Sequence, residues 1–302
     1  MKPTIGVIGL GIMGGAMAEA LLADGFKVVG YDVRAEARQR LQNAGGRPLR
    51  SSTAVATRAD VLITSLAMVV ALDDAVEKIA AARRPNTGAG LIVIETSTLP
   101  IEDKQRALRR LQRAGITLLD CPISGTAVRM KQGAWTIFVS GAATACKRVK
   151  PGLAVFTRNA PYVGAFGNGM RMKFIANHMV AIQNVAVAES LTFARKMGLD
   201  PQQVWNLFAT SPIIGTGVFK LRGKFMVDHQ YLPATMKVEV WQKDMRVIGD
   251  MARAVGCPTP LFAACAPIYS AAMAQGLSQH DTASVCEVLG RMAGVDRPRA
   301  KR

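Results

Sequence analysis

Thr4-Ile5-Gly6-Val7-Ile8-Gly9-Leu10-Gly11-Ile12-Met13-Gly14 is a short β-rich run that breaks at glycine and continues as a helical pattern from Met13 to Ala23. Gly9, Gly11 and Gly14 fit the spacing G-x-G-x-x-G. Each glycine has a physical task there. The first allows a tight turn out of the strand, the second lets backbone approach a pyrophosphate, and the third lets the helix pack close to the strand. Leu10, Ile12 and Met13 fill the loop between them, and the helix N-terminus offers N–H groups to the phosphates. The motif alone is weak evidence. A strand before it, a helix after it and Asp32 at the end of the next strand, Lys27 to Tyr31, strengthen it. A carboxylate at Asp32 hydrogen-bonds a ribose hydroxyl and repels a 2′-phosphate, which favours NAD over NADP. Arg34 works in the other direction, because a guanidinium there holds that phosphate.

Outward from this stretch, strands and helices alternate. Helical patterns run over Ala35 to Asn43, Met68 to Ala82 and Pro100 to Ala114. Strand patterns run over Asp60 to Ser65, Gly90 to Glu95 and Ile116 to Leu119. Such alternation predicts a mostly parallel, doubly wound α/β sheet with helices on both faces. Its strands read as continuous apolar runs because both faces are covered. A strand at Trp135 to Ser140, a helix at Ala143 to Val155 and a short strand at Tyr162 complete this half. From Asn168 onward only helical patterns occur: one to about Lys196, then Pro201 to Phe208, Val238 to Val255, Pro260 to Gln275 and Thr282 to Ala293. The expected division is a Rossmann domain over 1–164 and an all-α domain over 165–302, joined by the long helix.

The chain has 302 residues, half of them hydrophobic, enough for two cores. Its net charge of +17 invites a nucleic-acid reading. The basic residues are scattered over helices, however, and only Arg297 to Arg302 is dense. A solvated basic surface is the plainer account, and a positive field also draws in anionic substrates. Five cysteines without metal-ligand spacing suit reduced thiols in the cytoplasm. Glycines from Gly6 to Gly14 would break a signal helix. The apolar stretch Phe174 to Ala194 carries Asn177, His178, Gln183, Asn184 and Glu189, too polar for a lipid-facing span. No membrane association is expected.

Two further segments carry chemistry. Asp120-Cys121-Pro122-Ile123-Ser124-Gly125-Thr126 follows a strand end, where ligands bind in doubly wound sheets. A serine hydroxyl beside a glycine amide suits a carboxylate, although a plain turn explains the segment equally well. In Gly164 to Asn177, Lys173 and Asn177 are four apart and share one helix face. A lysine in an otherwise apolar helix is expected to be desolvated and suited to proton transfer. The competing reading is a lysine snorkelling at a helix start.

In this order, the segments resemble the β-hydroxyacid dehydrogenase family, which includes 3-hydroxyisobutyrate dehydrogenase and tartronate semialdehyde reductase. Gly9-Leu-Gly-Ile-Met-Gly-Gly-Ala-Met-Ala18, Asp120-Cys-Pro-Ile-Ser-Gly125, Gly164 through Lys173 to Asn177, and Lys243-Asp244-Met245 match its four motifs. The resemblance implies a small 3-hydroxy acid, or its semialdehyde or keto acid, as substrate, and a homodimer or homotetramer. It implies Lys173 as general acid/base and Asn177 as holder of the substrate beside it. Ser124 and Gly125, with Thr126 next to them, would bind the substrate carboxylate. Lys243 would close the site against substrate and cofactor, supported by Asp244. Thr98, in a strand end similar to the family's D-x-S-T, and Leu66 would contact the cofactor.

The chain departs from the family at Thr126, where a second glycine is usual, at Ala67 and Met245, and at Gly215-Thr216. The larger phosphogluconate-specific members have a much longer helical half. The rival reading from another class is a non-catalytic NAD(P)-binding scaffold with a basic, nucleic-acid-associated surface. A third is an imine-reducing relative. Relatives of both kinds are expected to lack the lysine that stands here at 173.

Overall fold

The computed structural model describes residues 2–82, 90–125, 133 and 135–295; Thr126 and the basic tail Arg297 to Arg302 lie outside them. The chain divides into two compact units, Met1–Lys173 and Phe174–Arg302.

The first unit is built on a six-stranded sheet in the order β3-β2-β1-β4-β5-β6, every neighbouring pair parallel. Its strands are β1 (Thr4–Ile8), β2 (Lys27–Tyr31), β3 (Arg47–Pro48), β4 (Val61–Thr64), β5 (Ile92–Glu95) and β6 (Thr117–Asp120). The helices between them are α1 (Ile12–Ala23), α2 (Ala35–Asn43), α3 (Ser52–Arg58), α4 (Val69–Ala80) and α5 (Ile101–Arg113). Alternation along the strands sorts the apolar side chains into two layers. Ile5, Val7, Ile63, Ile92 and Ile94 pack with Met17 and Leu21 of α1 and with Val149 and Leu153 of α6 (Ala143–Leu153). Ile8, Leu62, Val93 and Leu118 pack on the other face with Val55, Leu72, Val76, Ile79 and Leu111. At about 1.5–3 kcal/mol for each such side chain taken out of water, these layers hold the sheet. The strand order reverses between β1 and β4, so a crevice opens at their carboxyl ends, where doubly wound sheets bind ligands.

Short elements have no counterpart in the sequence pattern, β3 and α3 among them, and one strand is narrower than expected. Helix α3 is only seven residues long; the Ser51 hydroxyl caps it by accepting the Ala54 N–H at 3.1 Å. The strand expected over Trp135 to Ser140 is reduced to β8 (Thr136–Ile137), antiparallel to β7 (Ile123–Ser124). Val139 and Ser140 make single bridges to Tyr162 and Asp120 instead.

The second unit is helical. It takes up most of α7 (Asn168–Lys196), then α8 (Pro201–Ala209), a π-helical turn at Phe219–Gly223 running into α9 (Lys224–Asp228), α10 (Val238–Ala254), α11 (Pro260–Ala274) and α12 (Val285–Met292). The segment Phe219–Asp228 carried no readable period, because i→i+5 bonding in its first half breaks the helical spacing. Proline stands at the first position of α8 and α11, where its missing N–H costs nothing. Asn184 ties this core together by donating to Tyr269 Oη at 3.0 Å and to the Thr282 carbonyl at 2.9 Å. Burial pushes the Tyr269 phenol up to about 12. Among the described residues, no helix is long and apolar enough to cross a membrane.

Candidate active site

The glycine loop is shaped by close backbone contact. Gly9 sits at φ +88°, and a Cβ there would lie 2.2 Å from the Ser65 carbonyl oxygen just beyond β4. A Cβ on Gly14 would lie 1.9 Å from the carbonyl oxygen of Gly9. Both positions therefore require glycine. Leu66 packs over Gly9, its Cδ2 3.1 Å from where that Cβ would stand. Gly11 differs: a Cβ there would meet nothing closer than Arg34 Nη2 at 3.6 Å. The space above Gly11 is open, and no side chain caps α1. The first-turn amides, at Ile12 and Met13, thus face that space with no intrahelical acceptor. Ile12 is exposed, Leu10 is buried in the sheet core, and Met13 is half-buried against it. This donor set fits a dinucleotide pyrophosphate.

Asp32 follows β2 and fixes the edge of the cradle. Its Oδ2 accepts the Leu10 N–H at 2.7 Å, and its Oδ1 accepts the Arg34 N–H at 2.9 Å. The Arg34 guanidinium pairs with the same oxygen at 3.3 Å. Burial alone would raise this carboxyl, but the hydrogen bonds from Arg34 and Leu10 and the guanidinium charge outweigh it and hold the group below its ordinary value. The rim therefore presents an anion and a cation side by side, with Arg34 more than half exposed.

Further along the sheet, the ends of β5 and β6 are joined by charge. Lys104, inside α5, is wholly buried and reaches Glu95 Oε2 at 2.6 Å and Asp120 Oδ1 at 2.7 Å, both also wholly buried. Burial alone would lower the ammonium, but the two carboxyl groups outweigh it and raise the group above its ordinary value. The other oxygen of each acid is used as well. Glu95 Oε1 accepts the Ser97 N–H at 2.9 Å, and Ser97 Oγ accepts the Leu66 N–H at 2.8 Å. Asp120 Oδ2 accepts the Met170 N–H at 2.8 Å, and Ser140 Oγ accepts the Gly169 N–H at 3.0 Å. The half-buried Thr98 follows on this segment.

Ser124, half-buried, ends β7 and pairs with Thr136 of β8. Gly125 next to it has φ +144°, and a Cβ would lie 2.4 Å from Trp135 Cδ1. The indole thus excludes any side chain at 125, and Gly125 itself is exposed next to Ser124. Lys173 lies in the second turn of α7 and is 8% exposed; Asn177, one turn on, is 4% exposed. In the helical unit Asn177 Nδ2 donates to Asp244 Oδ2 at 2.9 Å, and Lys243 Nζ stands 3.2 Å from Asp244 Oδ1. Asp244 therefore orients both.

The sequence places Glu95 and Ser97 in the strand end that leads to Thr98, Asp120 at the head of the Ser124 segment and Ser140 at a strand end, but gives none of them a role, and it does not single out Lys104. A signal for Lys104 existed. It stands on the stripe Ile101, Lys104, Ala107, Leu111 that α5 buries, where an unpaired lysine is not tolerated.

Residues 4–164 match the family model described as the NAD binding domain of 6-phosphogluconate dehydrogenase. Residues 167–289 match the model described as the NAD-binding of NADP-dependent 3-hydroxyisobutyrate dehydrogenase. L-threonate dehydrogenase of Cupriavidus necator is 31% identical, and the match covers 99% of each chain. The 2-hydroxy-3-oxopropionate reductase of Escherichia coli is 30% identical over 96% of this chain and 98% of its own. The crystal structure of 3-hydroxyisobutyrate dehydrogenase from Salmonella typhimurium superposes with a TM-score of 0.84 at 25% identity, over 95% of this chain and 100% of that one.

Proposed function

The chain belongs to the β-hydroxyacid dehydrogenase family, and from that premise we propose that it moves a hydride between a nicotinamide cofactor and a small 3-hydroxy acid or its semialdehyde or keto acid, with Lys173 as general acid/base. The observation that carries this reading is the open glycine cradle in the same compact unit as a buried Lys173, with Asn177 one turn on along the same helix. A nicotinamide ring held by these residues would accept or supply the hydride. In oxidation, Lys173 Nζ, as the amine, takes the proton of the substrate hydroxyl; in reduction, the ammonium returns it. Ser124 Oγ and the Gly125 N–H hold the substrate carboxylate, with Thr126 bordering that pocket. Asn177, oriented by Asp244, hydrogen-bonds the hydroxyl and keeps it in reach of the amine. Gly9 to Gly14, Asp32, Leu66 and Thr98 hold the cofactor. Arg34 admits NADP as second choice to NAD, and Lys243 closes over substrate and cofactor.

Residues 1–164 carry the dinucleotide and residues 165–302 the substrate and subunit pairing, as a cytoplasmic homodimer or homotetramer. The hydroxyl acids named in the relatives, L-threonate and 3-hydroxyisobutyrate, define the test, together with glycerate, the reduced form of 2-hydroxy-3-oxopropionate. Absorbance of reduced NAD and NADP is followed with each acid. At least one acid is expected to be oxidised, with NAD preferred. No turnover on any acid, in either direction, would sink the proposal.

A further inference from the structure

We propose that Lys104 is a positioning residue for proton transfer at Lys173, acting through Asp120 on the first turn of α7; this rests on the function proposed above for Lys173. The connection is short and continuous. Lys104 Nζ holds Asp120 Oδ1 at 2.7 Å, and Asp120 Oδ2 receives the Met170 N–H at 2.8 Å. Met170 precedes Lys173 by three residues, so the two stand on one side of the helix. The Ser140 hydroxyl fastens the turn from a second direction. It receives the Gly169 N–H at 3.0 Å and reaches the Asp120 carbonyl oxygen at 2.9 Å. A Cβ on Gly169 would lie 2.7 Å from that same carbonyl, so the helix start sits directly on the end of β6.

Lys104 also holds Glu95, whose other oxygen orders Ser97 and, through Ser97 Oγ, Leu66. One ammonium thereby clamps the helix turn before Lys173 and the strand ends assigned to the cofactor. Proton and hydride transfer need the two reactants held within a few tenths of an ångström of a productive geometry. A buried, fully used charge cluster supplies that rigidity better than an apolar contact, because each oxygen has a defined partner. No group of the cluster touches solvent, so it has no direct part in the chemistry.

The test uses Lys104→Met, which keeps the stem and removes the ammonium, and Ser140→Ala, which loosens the same turn and removes a 3.2 Å hydrogen bond to Asp120 Oδ2 but keeps Lys104 between its two carboxylates. Amide hydrogen exchange is read on the cofactor-free protein for peptides covering 165–173 and 180–194. In both variants the rise in exchange over 165–173 is expected to exceed the rise over 180–194 at least tenfold. In steady-state assays kcat falls at least tenfold in Lys104→Met and about threefold in Ser140→Ala, while substrate KM moves less than threefold.

Unchanged exchange at 165–173, or faster exchange with unchanged kcat, overturns the inference. Exchange that rises equally in both peptides also overturns it, because that marks a general loss of stability. If Lys104→Met does not fold, the same criteria applied to Ser140→Ala decide. Turnover of the parent chain is measured first. Its absence removes the proposed function, whereas an active parent with unaffected variants removes only the role of Lys104.

Discussion

At the carboxyl ends of β1 and β4, in the middle of the sheet, the protein approaches itself through backbone. Gly9, Gly14 and the Ser65 carbonyl lie so close that no Cβ fits, and the resulting loop leaves amides over an open space. At the β5 and β6 end it approaches itself through charge, with Lys104 between Glu95 and Asp120 and every oxygen occupied. The first region closes backbone on backbone beside an open space, with Leu66 and Arg34 at its margins. The second is filled with side chains and faces inward to a helix start. Binding needs unsatisfied donors held in place, and positioning needs satisfied ones, so one sheet serves both by changing its materials.

The separation is tested most severely at Lys173. Lys173→Ala should lower kcat by roughly 10²–10⁴-fold, the usual contribution of a positioned acid/base. Cofactor affinity, titrated by reduced-nucleotide fluorescence, should stay within threefold; an equal loss of both would merge the two regions into one. Next in size is the stability of Lys104→Met. Removing one partner of a buried ion cluster costs about 3–5 kcal/mol, read as a lower denaturant midpoint. A loss under about 1 kcal/mol would show that the cluster contributes little to the fold.

Within the cradle, Gly14→Ala drives a methyl into the Gly9 carbonyl and should cost about 1–3 kcal/mol of stability. Gly11→Ala meets no protein atom closer than 3.6 Å and should leave stability nearly unchanged while raising the cofactor Kd severalfold. If the two variants behave alike, Gly11 does not face the ligand. At the rim, Arg34→Ala removes the exposed cation and should raise the NADP to NAD ratio of KM values about tenfold, the worth of one charge-assisted hydrogen bond.

The smallest effect concerns Asp32. Its carboxyl is held below its ordinary value in the folded state. Its stabilisation is therefore complete above the unfolded value and is lost as pH falls through the folded one. The Tm gap between the parent and Asp32→Asn should be constant above about pH 5, given an unperturbed carboxyl near ~3.9, and should narrow toward pH 3. A gap that widens on acidification would contradict the hydrogen-bonding pattern at Asp32.

The cradle was readable because its constraints are local. Gly9, Gly11 and Gly14 act within six residues of one another, and Asp32 follows at the next strand end. The sheet class was readable for the same reason, as continuous apolar runs between amphipathic helices. The Lys104 cluster was not, since its members lie at 95, 104, 120, 140 and 170 on five different segments. In the sequence Lys104 is one more cation in Arg106 to Arg113's helix, and only its place on the buried stripe of α5 sets it apart. The short helix at Ser52–Arg58 and the π turn at Phe219–Gly223 escaped because one is too brief and the other too irregular to show a period.

By itself, then, the sequence determined the doubly wound half, the helical half and the candidate residues that the proposed function uses, Gly9 to Gly14, Asp32, Ser124, Lys173 and Asn177. The glycines and Asp32 are marked by local spacing, and Ser124, Lys173 and Asn177 by their resemblance to the family's motifs. Only the tertiary structure decided that Arg34 stands against Asp32, that Trp135 closes on Gly125, that Asp244 stands against Asn177 and Lys243, and that Asp120, paired with Lys104, accepts an amide at the start of α7. Those contacts are set by which strands pair and how helices pack on them, and charges far apart in the chain acquire their partners only when burial removes water as the alternative.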